Sequence, residues 1–379
     1  MIALPFLFWF SLIGIGYIFA GYPALIWICS KCRPQRIFKQ KCARSLSIVI
    51  VAYNEAKNLP RKLSSLLACT NSNWITEIVI GSDGSTDDTV DVVKAYSDRR
   101  VKVVEFSQRR GKPAVLNELI PQCTGEFVLL ADSRQEFDVN CLTQLLENFA
   151  DDRVGVVSGE LVLRSQPGET TAAQGIGFYW KYEKFIRKHE SRFRGVPGAT
   201  GACYVIRKSL FRPIPEQTIL DDVAIPMLAV TQGFRCLFEP AAMIFDTPSK
   251  STQQESIRKR RTIAGAAQLI RLFPLWIWPG ANPLWLEFVS HKLLRLISPV
   301  LLVIAFVTNL MLASQPIYAL MLIGQVSLYA AALTGWFCQY IGRRVACFGP
   351  PLMFVSLNLT TVLALWDAVR CRYRVTWQK

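Results

Sequence analysis

Histidine is nearly absent from this chain: His189 and His291 are the two copies in 379 residues. They are too few and too far apart to build a metal cluster, so both read as structural or interfacial. Acidic residues are also scarce, 28 against 43 Lys and Arg, which leaves a net charge of +15. No glycine-rich triphosphate loop lies near the N-terminus, and no internal repeat or low-complexity tract is present. The eleven cysteines are scattered, and Cys29-Ser30-Lys31-Cys32 is a lone CxxC with no second pair to complete four zinc ligands. Reduced thiols of this kind suit a cytosolic domain. Long apolar runs are missing from the middle of the chain and confined to its ends.

Hydrophobic residues make up 51% of the chain and its mean hydropathy is +0.26, high for a soluble protein. The length calls for more than one part. Together these predict a soluble domain framed by membrane helices. Ile2–Cys29 is almost wholly apolar and long enough to span a bilayer, with no basic segment ahead of it and no small-residue cleavage site. The basic block Lys31–Arg44 follows, which places the N-terminus outside and the next domain in the cytoplasm. The same rule accounts for the positive net charge. A nucleic-acid partner is not expected, because the aromatics do not interleave with the basic runs.

The stretch Ser47–Arg134 organises the remainder. SIVIVAYNE (Ser47–Glu55), EIVIGSDGSTDDT (Glu77–Thr89) and EFVLLADSR (Glu126–Arg134) each start with an apolar run and end in polar or acidic residues. Runs of that length and β-branched content read as buried parallel strands. Between them, Glu55–Cys69 carries leucines at helical spacing, Val101–Phe106 alternates like a strand, and Arg109–Leu119 is a basic turn opening a short helix. Asn140–Phe149 reads as helix and Val154–Ser158 as strand. The alternation predicts an α/β fold with a mostly parallel sheet. Ligands of such sheets lie outside the carboxyl ends of the strands. Further on come a helix over Gly175–Phe193, a glycine-broken loop over Gly195–Phe211, paired acids in TILDDVAIPM (Thr218–Met227), a strand over Gly233–Phe238 and a strongly basic helix over Ser256–Ile270.

Leu272–Phe288 holds Trp276, Trp278 and Trp285 around a Pro-Gly break and reads as interfacial. Three apolar stretches follow, near Leu296–Leu312, Ile317–Tyr340 and Pro351–Trp366. Ala313–Pro316 lacks charge, as an outer loop should, and Gly342-Arg343-Arg344 is basic, as an inner loop should be. The basic tail Arg370–Lys379 would then lie outside. Either the last stretch is re-entrant or surface-lying, or the charge rule fails there. The expected organisation is a membrane helix over 1–30, a catalytic domain over 45–270, an interfacial segment over 271–290, and membrane helices with a basic tail over 291–379.

Motifs in the family's order give the chain a resemblance to the membrane-bound glycosyltransferases of family 2, the group of the cellulose, chitin and hyaluronan synthases. The resemblance covers roughly 47–265 and implies a GT-A type domain in the cytosol, on the inner membrane of a bacterium. AYNE (Ala52–Glu55) resembles the nucleotide-binding turn after the first strand, which implicates Ala52, Tyr53 and Glu55 in donor binding. DGSTDDT (Asp83–Thr89) resembles the family's DGSxDxT, whose first Asp, here Asp83, meets the uracil ring. Arg110-Gly111-Lys112 resembles the basic turn beside the diphosphate, where Lys112 can stabilise a leaving group gaining negative charge. Asp132-Ser133-Arg134 stands where the family has its DxD, which binds Mg²⁺ or Mn²⁺ between the phosphates; Asp132 is the expected ligand and Arg134 replaces the second Asp. Asp221-Asp222 stands where the family has its catalytic acid pair. Asp222 matches the base, with Asp221 and Gly201 on the acceptor side. Arg258–Thr262 stands where processive members have QxxRW; only Arg261 matches, suited to the diphosphate.

These residues imply an inverting transfer from a nucleotide sugar, UDP-linked, to a saccharide, polysaccharide or lipid-linked acceptor at the bilayer. The rivals are a sugar nucleotidyltransferase of similar fold and a nucleotide-binding membrane scaffold. The missing glycine-rich triphosphate loop opposes the first, and the lost second Asp at Arg134 favours the second.

Overall fold

The computed structural model describes residues 3–41, 43–164, 171–247, 252–343 and 345–370, with side chains except those of 171–178 and 252–255. Its centre is an eight-stranded sheet made of β1 (Leu46–Ala52), β2 (Ile75–Asp83), β3 (Val101–Phe106), β4 (Phe127–Ala131), β5 (Glu136–Phe137), β6 (Val154–Leu163), β7 (Tyr204–Arg207) and β8 (Arg235–Asp246). The order across the sheet is β3-β2-β1-β4-β7-β6-β8-β5. The pairs β2/β3, β1/β2, β1/β4 and β6/β8 are parallel, whereas β7 runs antiparallel to both β4 and β6, and β5 antiparallel to β8. The expectation of a mostly parallel sheet holds, with β7 and β5 as the two reversed strands. The chain reaches β7 from the glycine-broken loop, at the same edge where β4 ends, so β7 must run back.

The expected strands hold both faces of the sheet in apolar packing. Along β1, Ile48 and Ile50 point to one face and Val49 to the other, and all three are buried. One face packs on the helices Leu59–Leu67 and Cys141–Leu146; the other packs on Lys112–Gln122, Asp221–Thr231 and the end of Thr252–Leu272. Each such fully buried Val, Leu or Ile contributes about 1.5–3 kcal/mol relative to exposure. Because β3, β4, β6 and β8 run in the same sense as β1 and β2, six strands deliver their carboxyl ends to one edge. Asp83, Asn54, Asp132 and Asp246 all sit on that ligand edge.

Four helices are long and apolar enough to cross a membrane: Ala3–Cys32, Trp285–Met311, Pro316–Tyr340 and Ala346–Val369. The second helix starts at Trp285, earlier than expected, and the turn Pro274–Ile277 lies in the segment before it. The last is a continuous helix of spanning length. Its base is tied to the sheet domain by Arg260, whose guanidinium donates to both carboxylate oxygens of Asp367, one at 2.7 Å. Arg344 and the tail beyond Arg370 lie outside the described residues.

Candidate active site

The turns after β1 and β2 are stitched to each other by their own motif side chains. Asn54 takes a left-handed φ of 55°, and its Oδ1 accepts the Thr86 N–H at 2.8 Å. Thr89 Oγ1 accepts the Glu55 N–H at 2.8 Å, and Ser85 Oγ accepts the Asn54 N–H at 3.2 Å. The polar side chains of AYNE and SDGSTDDT thus fold two turns into one cradle, with Ala52 buried at its base. The Arg109 guanidinium stacks over the Tyr53 ring, 3.7 Å from its centroid, and closes one side.

Asp83 is only 3% exposed, and both its oxygens are engaged. Oδ1 accepts the Arg110 N–H at 2.7 Å and Oδ2 the Gly111 N–H at 2.9 Å. Its carboxylate thus latches the basic turn to the end of β2, a task the sequence did not suggest. Gly84 lies against that turn with φ 68°; a Cβ there would come within 2.9 Å of the Arg109 nitrogen.

The latched turn starts the helix that carries Lys112. Its ammonium donates to Asp132 Oδ1 at 3.0 Å and pairs with Asp221 Oδ2 at 3.1 Å. Burial works to lower the Lys112 pKa, but the charges of Asp132 and Asp221 outweigh it and raise it well above the usual lysine range. Asp222 sits beside this group. Its Oδ2 accepts the Gly201 N–H at 3.0 Å, and a Cβ on Gly201 would lie 3.4 Å from that oxygen and 3.7 Å from Asp132 Oδ2. Burial, then the neighbouring Asp221, pushes the Asp222 carboxyl up to about 6, against the pull of Lys112. Arg261 lies in range of the same acids: burial lowers its pKa, opposed by Asp221, Asp132 and Asp222. Lys112, Asp132, Gly201, Asp221, Asp222 and Arg261 therefore form one group, and Ala52, Tyr53, Glu55 and Asp83 form a second at the β1–β2 end.

Arg134 does not join either group. It pairs with Asp246 at the end of β8, where Gln135 Nε2 also donates at 3.1 Å. Glu136 pairs with Arg61 and Arg164, at 3.2 and 3.3 Å, and Asp138 accepts the Asn140 N–H at 2.9 Å. Neither replaces the missing second Asp beside Asp132, and among the described residues no group of three His, Cys, Asp or Glu is placed to hold a metal ion.

Several residues of the site escaped the sequence reading. Arg187, on the helix Thr171–Phe193, donates to Ser158 Oγ at 2.9 Å; the same oxygen accepts the Thr200 N–H at 3.0 Å. That fixes the loop whose next N–H holds Asp222. Tyr204 is fully buried with its hydroxyl unpaired, in the field of Asp221, Asp222 and Asp132. Lys62 is 1% exposed, its Nζ has no partner, and it lies 4.2 Å from the Phe137 ring centroid. Burial lowers its pKa to about 8. Lys62 had a visible signal: it falls on the same helical stripe as Leu59, Leu63 and Leu66. Arg187 had none, because its partner is 29 residues away.

Residues 47–214 match the model of the glycosyl transferase family 2. The chain carries a glycosyltransferase family 2 domain. That domain holds both turns, Lys112, Asp132 and Gly201, while the acid pair and Arg261 follow it. The poly-beta-1,6-N-acetyl-D-glucosamine synthase of Staphylococcus aureus (strain COL) is 26% identical over 203 residues, 52% of this chain and 48% of that protein. An N-acetylglucosaminyltransferase of Azorhizobium caulinodans is 29% identical over 213 residues, covering 52% and 53%. The chain thus spans about half the length of the curated relatives it matches. A mannosyltransferase from Pyrobaculum calidifontis, solved in complex with GDP-Man and Mn²⁺, shares the fold along 97% of this chain and 100% of its own, with a TM-score of 0.72 and 20% identity. The match extends the GT-A architecture to the arrangement of the flanking helices.

Proposed function

We propose that this chain is an inverting glycosyltransferase, with Asp222 as the base that takes the acceptor hydroxyl's proton. One observation carries the reading: a half-buried carboxylate, oriented by the Gly201 N–H and raised to about 6, stands next to a charged Lys112–Asp132 pair. A base of that strength is ionised at neutral pH yet still basic enough to assist an attacking hydroxyl. The acceptor oxygen would attack the anomeric carbon from the Asp222 side, which inverts the configuration. Lys112 and Arg261 would offset the charge gained by the departing diphosphate. The stitched turns around Tyr53 and Glu55 would seat the nucleoside, and Asp83 would hold the basic turn beneath the phosphates.

A divalent cation, Mg²⁺ or Mn²⁺, would be held by Asp132 together with the donor's phosphate oxygens, and would supply further charge neutralisation. The fit is a lean one: Asp132 Oδ1 bonds Lys112, Oδ2 faces Gly201, and Arg134 is turned toward Asp246. The relatives' names favour an N-acetylhexosamine as the transferred sugar; the resemblance of the two turns favours a UDP-linked donor, and the acceptor would be a saccharide, polysaccharide or lipid-linked sugar at the cytoplasmic membrane face.

The test is a panel of nucleotide sugars, including UDP-N-acetylglucosamine, UDP-glucose and GDP-mannose, assayed with the full chain in detergent. The expected result is release of nucleoside diphosphate with one donor and a product of inverted anomeric configuration. Nucleotide binding without turnover of any sugar would replace the enzyme by the scaffold reading.

A further inference from the structure

The helix Thr171–Phe193 carries Glu183, Arg187 and Glu190 at positions i, i+4 and i+7, so all three lie along one face. Its two acids are held by the membrane helices. His291, on the span Trp285–Met311, bridges them: Nδ1 bonds Glu190 Oε1 at 2.8 Å and Nε2 bonds Glu183 Oε2 at 2.9 Å. Arg295, four residues further along the same span, pairs with Glu183. Tyr22, on the span Ala3–Cys32, donates its hydroxyl to Glu190. His291 is 2% exposed and Glu190 fully buried; with both carboxylates ionised, only a ring carrying a proton on each nitrogen serves both. Two bonds seven residues apart fix the helix along its axis and in rotation. Among the described residues two π-helical turns occur, Tyr17–Gly21 and Phe288–Leu293, and both sit at this junction, where the Tyr17 hydroxyl bonds Ser290 Oγ at 2.8 Å. Turns of this kind are rare and gather at functional sites.

Arg187 stands between the two clamped acids and extends to the sheet. Its guanidinium lies 4.6 Å from the ring centroid of Phe238 on β8 and donates to Ser158 Oγ on β6 at 2.9 Å. Ser158 is fully buried, and the same oxygen accepts the Thr200 N–H at 3.0 Å. The next amide, Gly201 N–H, holds Asp222 Oδ2 at 3.0 Å. A run of contacts thus joins the membrane helices to the carboxylate assigned above as the base. We propose that His291, in a clamp with Tyr22 and Arg295, is a positioning residue for the transfer, acting through Arg187, Ser158 and the Thr200–Gly201 amides to hold Asp222 against the acceptor hydroxyl. The inference rests on the reading of Asp222 as base. The Arg187 side chain is long, so a shift of its helix is passed on as a stretched or broken bond at Ser158.

A double-mutant cycle on the full chain in detergent tests this, with kcat and UDP affinity measured for each variant. His291→Gln has one amide nitrogen and cannot serve both acids. Ser158→Ala cuts the run at its midpoint and removes only a hydroxyl. Each should lower kcat by about 10- to 100-fold, the scale of a misplacement of about 1 Å, and leave UDP affinity within about twofold, because the β1–β2 cradle is untouched. The double variant should be no slower than the slower single variant, a coupling that residues acting independently do not show. Should His291→Gln not fold, Tyr22→Phe, which removes one hydroxyl from the same clamp, takes its place in the cycle under the same criterion. Losses that multiply in the double variant would overturn the proposal and leave the base reading standing. Wild-type kcat in Ser158→Ala would overturn it as well, and so would UDP affinity falling in step with kcat, the mark of general loosening. Transfer surviving in Asp222→Asn is instead the failure of the base reading, and takes the last step of the proposal with it.

Discussion

At the β2 end of the ligand edge, Asp83 accepts two backbone N–H groups; at the β7 end, Asp222 accepts one and has Asp221 beside it. Both are nearly or partly buried aspartates in glycine-rich surroundings. Their environments give them opposite chemistry. Two amide donors satisfy the Asp83 charge and make it a structural anchor, whereas Asp222 is desolvated and next to a like charge, which raises its affinity for a proton. A carboxylate's role is set by what donates to it, more than by its place at a strand end.

The sharpest way to break this comparison is Asp222→Asn. It should lower kcat by about 10²–10⁴ while leaving nucleoside diphosphate affinity unchanged, measured by initial rates and by titration. Transfer within about tenfold of wild type would remove Asp222 from the base role. The next effect in size is at the other end. Asp83→Ala frees the turn that carries Lys112, so affinity for UDP and for GDP should fall together, by about tenfold. A loss confined to UDP would mean that Asp83 reads the base after all. A smaller shift sharpens the role of the like charge. Activity should rise with pH through about 6 as Asp222 ionises. Asp221→Asn removes the repulsion, so the acid limb of the kcat profile should move to lower pH. An unmoved limb would leave burial as the whole cause.

The smallest effect on activity belongs to Lys62. Lys62→Met should keep kcat within about twofold, because Lys62 Nζ has no partner within bonding distance. It should raise Tm by about 5 °C, the scale of a few kcal/mol in a domain of this size. The folded pKa of about 8 lies below the ordinary lysine value of 10.5, so the fold penalises the charged form. That penalty is complete below pH 8 and fades as pH rises toward 10.5. The stability gap between variant and wild type should therefore narrow on going from pH 7 to pH 10, as followed by denaturant unfolding.

Much of the fold was readable from local pattern. The apolar runs of β1, β2 and β4 are long enough and β-branched enough to be buried on both faces, and the acids after them mark the ligand edge. The reversal of β7 was not readable, since its neighbours β4 and β6 are chosen by the path of the glycine-broken loop. Arg134 shows the same limit within the site. By sequence it stands beside Asp132; in the fold its side chain reaches Asp246, 112 residues on.

The sequence by itself determined the apolar ends, the strand-helix alternation, the two polar turns and the acid pair, because each depends on residues a few positions apart. Only the tertiary structure decided which carboxylates are satisfied. Hydrogen-bond donors and burial come from segments distant in the chain: the Arg110 and Gly111 amides for Asp83, Gly201 for Asp222, Lys112 for Asp132 and Asp221. Charge and desolvation act through space, so the chemistry of these aspartates is fixed when the segments meet.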